Sequence, residues 1–138
     1  MASSLTRRSI GFGLDLSAPY ARAIEDVTAA LKEQGFGVLT TIDVKATLKE
    51  KLDADFRPYT ILGACNPPLA HRALSTDLEI GLMLPCNVVV YETEPGKSRM
   101  ELMDPMVALS MVGNEQLEPV AREAKERLER VVQRLAER

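Results

Sequence analysis

Tryptophan is absent from this chain, and three tyrosines with three phenylalanines supply all of its aromatic side chains. A platform on which bases of single-stranded nucleic acid could stack is therefore not expected. Cationic excess is lacking too, because 17 Lys and Arg stand against 20 Asp and Glu, for a formal net charge of −3. Binding to a phosphate backbone draws on clustered Lys and Arg, and Arg7-Arg8 is too small a cluster to reverse that balance. No nucleic-acid partner is expected. No segment approaches the roughly 20 consecutive apolar residues of a membrane span. Met1 to Ser9 has no apolar run of signal-peptide length. The expected address is the cytoplasm, with no membrane partner. Cysteine occurs only twice and histidine once. A cytoplasmic cysteine pair is normally kept reduced, which favours thiol, metal or redox roles over a structural disulfide.

What is present suffices for one core. Hydrophobic residues make up 46% of 138 positions, so residues 1–138 read as a single domain that needs neither metal nor disulfide to fold. Ile10, Phe12 and Leu14 alternate with small or polar residues and predict a short half-buried strand. Ser17 and Pro19 signal a helix start, Ile24, Val27 and Leu31 form its apolar stripe, and Gly35 supplies the stop. Val38, Thr40, Ile42 and Val44 alternate in a second strand, and Leu48 and Leu52 mark a short helix. Tyr59 to Cys65 is an apolar run of strand length, after which Asn66 suits a helix N-cap and Pro67 the first helical position. Thr76 to Glu79 has the spacing of a capping box. Cys86, Val88 and Val90 alternate in a further strand, Pro95-Gly96 fits a type II turn, and Ser98 to Met103 returns as the hairpin partner. Asp104-Pro105 caps a short apolar turn, and Leu117, Ala121, Ala124, Leu128, Val131 and Leu135 share one face of a final helix. This order predicts an α+β domain with two long helices on one side of a largely antiparallel sheet.

Each cysteine precedes an asparagine, in Ala64-Cys65-Asn66-Pro67 and Pro85-Cys86-Asn87-Val88, and His71 lies between the two phrases. If the two strands run antiparallel, Cys65 at the end of one and Cys86 at the start of the next meet at one end of the sheet. Cys65, Asn66, His71, Cys86 and Asn87 are then candidate ligand-binding residues. Cys65, His71 and Cys86 are the candidate metal ligands, and Cys65 is the candidate nucleophile; no cofactor is specified. The metal signature lacks a close Cys-x-x-Cys pair and offers three ligands where structural zinc takes four. The nucleophile lacks an orienting acid at recognisable spacing. Plainer roles compete: cysteine packs as a small hydrophobe, Asn66 caps a helix, His71 sits on the surface, and Met100, Met103, Met106 and Met111 fill apolar gaps. The residues thus support a binder of a small ligand or metal, or a reactant with a thiol-active species, at the Cys/His/Cys edge. The alternatives are a structural or protein-interaction homodimer, and a cysteine-nucleophile hydrolase or transferase. A homodimer is expected through the hairpin Cys86 to Met103 and the methionine-rich segment after it.

The stretches Phe36 to Leu52, Phe56 to His71 and Leu84 to Glu92 resemble the bacterial and archaeal family known as domain of unknown function 302 (DUF302). Its Gly-Ala-Cys-Asn-Pro and Leu-Pro-Cys-Asn phrases fall on Gly63 to Pro67 and Leu84 to Asn87, and its histidine phrase on His71. The resemblance implies a small curved antiparallel sheet carrying two long helices, β-α-β(4)-α with short inserted helices, similar to the TATA-binding-protein-like class, and often a homodimer. It implies no established activity.

Overall fold

The computed structural model describes residues 5–7 and 10–137, so most of the opening stretch Met1 to Ser9 lies outside the described residues. In chain order come β1 (Thr6–Arg7), β2 (Gly11–Leu16), α1 (Tyr20–Glu33), β3 (Gly37–Asp43), α2 (Val44–Leu52), β4 (Tyr59–Cys65) and α3 (Pro67–Thr76). A 3-10 segment (Leu78–Met83), β5 (Cys86–Glu94), β6 (Lys97–Met103), α4 (Pro105–Val112), a 3-10 turn (Glu115–Leu117) and α5 (Glu118–Ala136) complete the chain. The strands form one open antiparallel sheet in the order β1-β2-β6-β5-β4-β3.

Period-two alternation sends Phe12, Leu14 and Leu16 of β2 to one face, and all three are buried there. Cross-strand pairing aligns Phe12 with Leu102, Leu102 with Val88, and Val88 with Leu62, so one apolar surface runs across four strands. Two amphipathic helices cover it. α1 buries Ala23, Val27, Ala30 and Leu31, and α5 buries Val120, Leu128, Val131, Val132 and Leu135; the helices pack on each other and on the sheet. α1 ends in a Schellman motif, with Gly35 at φ +85° and the Phe36 N–H donating to the Leu31 carbonyl at 2.9 Å.

Three sequence-based expectations change. The alternation of β3 is broken, because Val38 pairs with Ala64 while Thr40 pairs with Gly63, leaving Leu39 as the extra residue of a bulge. The cap of the 3-10 segment is Asp77 and not Thr76. Its carboxylate accepts the Glu79 N–H at 2.9 Å, whereas α3 runs on through Thr76, whose hydroxyl donates to the Arg72 carbonyl at 2.8 Å. The hairpin Cys86 to Met103 offers no free edge, since β5 is paired with β4 and β6 with β2. Among the described residues, the sheet's open edges belong to β1 and β3.

Gly63 shows how closely the outer face is packed where β3, β4 and Pro85 meet. A Cβ on it would stand 2.2 Å from Thr40 Oγ1 and 2.9 Å from Pro85 Cγ. Gly63→Ala should therefore destabilise the fold by about 1–3 kcal/mol in urea unfolding. Adding Thr40→Ala should restore part of that loss, because it removes the nearer obstacle and leaves Pro85. A fully stable Gly63→Ala protein would show that close approach is not why glycine stands there.

Candidate functional site

Ala64 of β4 pairs with Cys86 of β5, which places Cys65, the next residue, at the same end of the sheet. Cys86 shares the helix-covered face with Ala64, whereas Cys65 falls on the opposite phase of the pleat at the strand's last position. The 66–85 segment folds over this end as α3 and the 3-10 segment, and α4 lies against both the 3-10 segment and α5. Between them is a cavity of about 370 Å³. Its walls combine large apolar side chains, such as Leu69, Ile80, Leu109 and Val120, with alanines from four elements: Ala64 from β4, Ala70 and Ala73 from α3, Ala108 from α4, Ala121 and Ala124 from α5. Cys65, Cys86, Met83 and Asn66 are the lining residues with a polar or polarisable group, and no charged side chain among the described residues lines it.

The rim is hydrogen-bonded where the interior is apolar. Asn66 caps α3 by accepting the Leu69 N–H at 3.3 Å, and its amide donates to the Gln34 carbonyl at the end of α1, also at 3.3 Å. Arg127 of α5 donates to that same carbonyl at 3.3 Å. Arg72 of α3 reaches Glu123 of α5 at 2.8 Å, and this hydrogen bond, with that from Arg127, holds the Glu123 carboxyl below the usual range. Asp104 accepts the Met106 N–H at 2.8 Å to cap α4, and pairs with Lys125 of α5 at 3.0 Å. Asn114 donates to Asp77 at 3.1 Å and so ties the segment before α5 to the cap of the 3-10 segment.

The candidate residues divide accordingly. Cys65, Asn66 and Cys86 line the cavity. His71 is exposed on α3 and outside the lining, and Asn87 is exposed on β5 opposite Gly63, pointing to the other face of the sheet. The expected metal set of Cys65, His71 and Cys86 does not assemble, and no group of three His, Cys, Asp or Glu among the described residues could hold a metal ion. Asn66 is held at both ends of its carboxamide by backbone groups. The alanines of α3, α4 and α5 were missed as site residues. Their signal was available: on apolar helix stripes they replace the leucines and valines found elsewhere.

Both thiols are free. Burial, reinforced by the neighbouring Cys65, pushes the Cys86 thiol up from its ordinary 9.0 to about 11. Cys86 is thus a neutral, soft contact at physiological pH.

The architecture defines an α+β domain with an open antiparallel sheet, two long helices on one face, and an apolar chamber at one sheet end. The profile of "Domain of unknown function DUF302" matches residues 12–135, and the chain belongs to this family. It is similar to the crystal structure of an uncharacterized conserved DUF302 protein from Bacillus stearothermophilus, with 33% identity and a TM-score of 0.84 over 93% of this chain and 99% of that one. No functionally curated protein matches the chain. Among the described residues no helix is long and apolar enough to cross a membrane.

The raised Cys86 pKa has a consequence for stability. Between pH 9 and about 11 the unfolded thiol has released a proton that the folded one retains, so this group's stabilisation is complete below pH 9 and declines as pH rises. Urea unfolding from pH 8 to pH 11 should show the parent protein losing about 2 kcal/mol more than Cys86→Ala over that range. Parallel pH profiles would contradict the burial assigned to this thiol.

Proposed function

We propose that this domain binds a small, uncharged, largely apolar ligand in the chamber at the Cys65 and Cys86 end of the sheet. The observation that carries this reading is the chamber itself, about 370 Å³ in volume, walled by aliphatic side chains and alanines and without a charged lining residue. Ligand pockets commonly span roughly 300–1,000 Å³ and combine apolar walls with few polar groups. An ionic group placed inside would lose its hydration with nothing to replace it, so the enclosed part of the ligand is neutral. Cys65 and Cys86 supply polarisable contacts, and Asn66 shapes the wall while holding α3 in place. His71 and Asn87 have no part in this site.

The cysteine-nucleophile reading receives less support. A thiol kept protonated at neutral pH is a poor nucleophile, and this describes Cys86. Cys65 would need a base, yet no His, Asp or Glu lines the chamber among the described residues. Binding is the reading we adopt, and we place it in the cytoplasm, where free thiols are the rule.

A neutral naphthylamine dye whose fluorescence rises in apolar surroundings tests the proposal. Ala108→Phe puts bulk into the chamber from α4, and should weaken dye binding at least about tenfold while the circular dichroism melt stays cooperative. Gln133→Phe, which adds the same bulk on the exposed side of α5, should bind like the parent protein. Equal binding by all three proteins, or loss in the Gln133→Phe variant alone, would refute the chamber as the site.

A further inference from the structure

The chamber is long for its volume. Leu39 at the β3 edge and Pro105 at the start of α4 both line it, and between them lie Cys65 at the end of β4 and Cys86 at the start of β5. Pro105 follows β6, so the lined end of the sheet runs across the neighbouring strands β6, β5, β4 and β3. Three steps between adjacent strands, each about 4.8 Å, make a length of roughly 14 Å. The volume of about 370 Å³ spread over that length leaves a mean cross-section of about 26 Å². A compact cavity of about 150 Å³ admits one benzene ring. Here more than twice that volume is drawn out into a channel.

The two ends of the channel differ. Leu39 is 68% exposed, so the β3 end opens to water. At the other end α4 begins, its cap Asp104 buried and paired with Lys125 at 3.0 Å. The interior offers almost no hydrogen bonding. Asn66 has both ends of its carboxamide engaged, by the Leu69 N–H and the Gln34 carbonyl, and the thiols of Cys65 and Cys86 with the Met83 thioether are weak partners. An enclosed heteroatom would lose water without gaining a partner. Among the described residues Phe36 is the one aromatic side chain in the lining, so a flat ring would find little to stack on.

We infer that the occupant is the hydrocarbon tail of a single-chain amphiphile, threaded from the Leu39 mouth toward α4 with its polar head left in water beside β3. The inference rests on the chamber being the ligand site. A saturated chain needs neither a hydrogen-bond partner nor a stacking face, and it is narrow enough for the channel. With C–C bonds of about 1.5 Å in a zigzag, each methylene advances the chain by roughly 1.25 Å, so about 11 carbons span the length.

Displacement of the naphthylamine dye from the full chain by straight primary alcohols, from hexan-1-ol to tetradecan-1-ol, reads that length. Affinity should rise about fourfold per added methylene and level off near about 11 carbons. Decan-1-ol should bind at least about tenfold more tightly than adamantan-1-ol, which holds the same number of carbons in a compact cage. Dodecanoate, whose charged head must stay in water, should bind within about tenfold of dodecan-1-ol. Ala108→Phe, which fills the α4 end, should bring the break to a shorter chain while hexan-1-ol binds as it does to the parent protein. A cage that competes as well as the chain, exclusion of the carboxylate, a break that Ala108→Phe does not move, or affinity that ignores length would overturn the inference while dye binding still marked the chamber as the site. Failure of the parent protein to bind the dye would instead remove the chamber reading, and this inference with it.

Discussion

Leu128, Val131, Val132 and Leu135 of α5, together with Val27 and Leu31 of α1, press on the face formed by Phe12, Leu14, Leu62, Val88, Val90 and Met100. That contact sets the spacing between the helix and sheet layers for the whole domain. Each large apolar side chain fully buried there contributes about 1.5–3 kcal/mol relative to exposure, so the layers are clamped at this distance. Toward the opposite end of α5 the stripe continues with Ala124 and Ala121, and the sheet face continues with Ala64 and Cys86. Protein interiors ordinarily tolerate few voids larger than a water molecule. Here the clamp holds the layers apart where Ala64, Ala121, Ala124 and Cys86 leave a gap that the larger neighbours, such as Leu117 and Val120, do not fill, and the chamber is the result.

The polar groups of the region keep that chamber from collapsing. α3 is tied to the end of α1 by Asn66 and to α5 through Arg72 and Glu123, while α4 is tied to α5 through Asp104 and Lys125. Exposed ion pairs such as Arg72–Glu123 contribute little individually, whereas caps such as Asn66 and Asp104 contribute about 1 kcal/mol each and fix where each covering helix begins. Two of those caps stand directly before proline, so the phrases Asn66-Pro67 and Asp104-Pro105 each start a helix at a defined point beside the chamber.

Much of this was legible in local pattern. The apolar stripe of α5, the Gly35 stop of α1, the Asn66 and Asp104 caps and the antiparallel meeting of Cys65 and Cys86 follow from spacing and residue chemistry. Asn87 could have been set aside by the same logic, because alternation turns it away from the face that Cys86 occupies. What local pattern could not supply is adjacency between distant segments. The bulge at Leu39 accompanies a close approach of Thr40 to Gly63, which lies on another strand. The central position of the β5–β6 hairpin depends on β2 arriving from the start of the chain, so its expected role as an exposed edge could not survive. The alanines of three helices, each unremarked on its own stripe, come to line one cavity only when the helices converge. His71 lies close to the cysteines in sequence, but the turn of α3 on which it stands faces solvent.

The most direct test of the account follows the alanine methyl groups by NMR as a neutral apolar compound is titrated into protein with labelled alanines. Ala73, Ala108, Ala121 and Ala124 line the chamber, whereas Ala23 and Ala30 of α1 are fully buried in the clamped core and serve as internal references. The account predicts saturable shifts of the four chamber methyls with the two core methyls unmoved. Shifts confined to surface positions, or no saturable change at any chamber methyl, would contradict it.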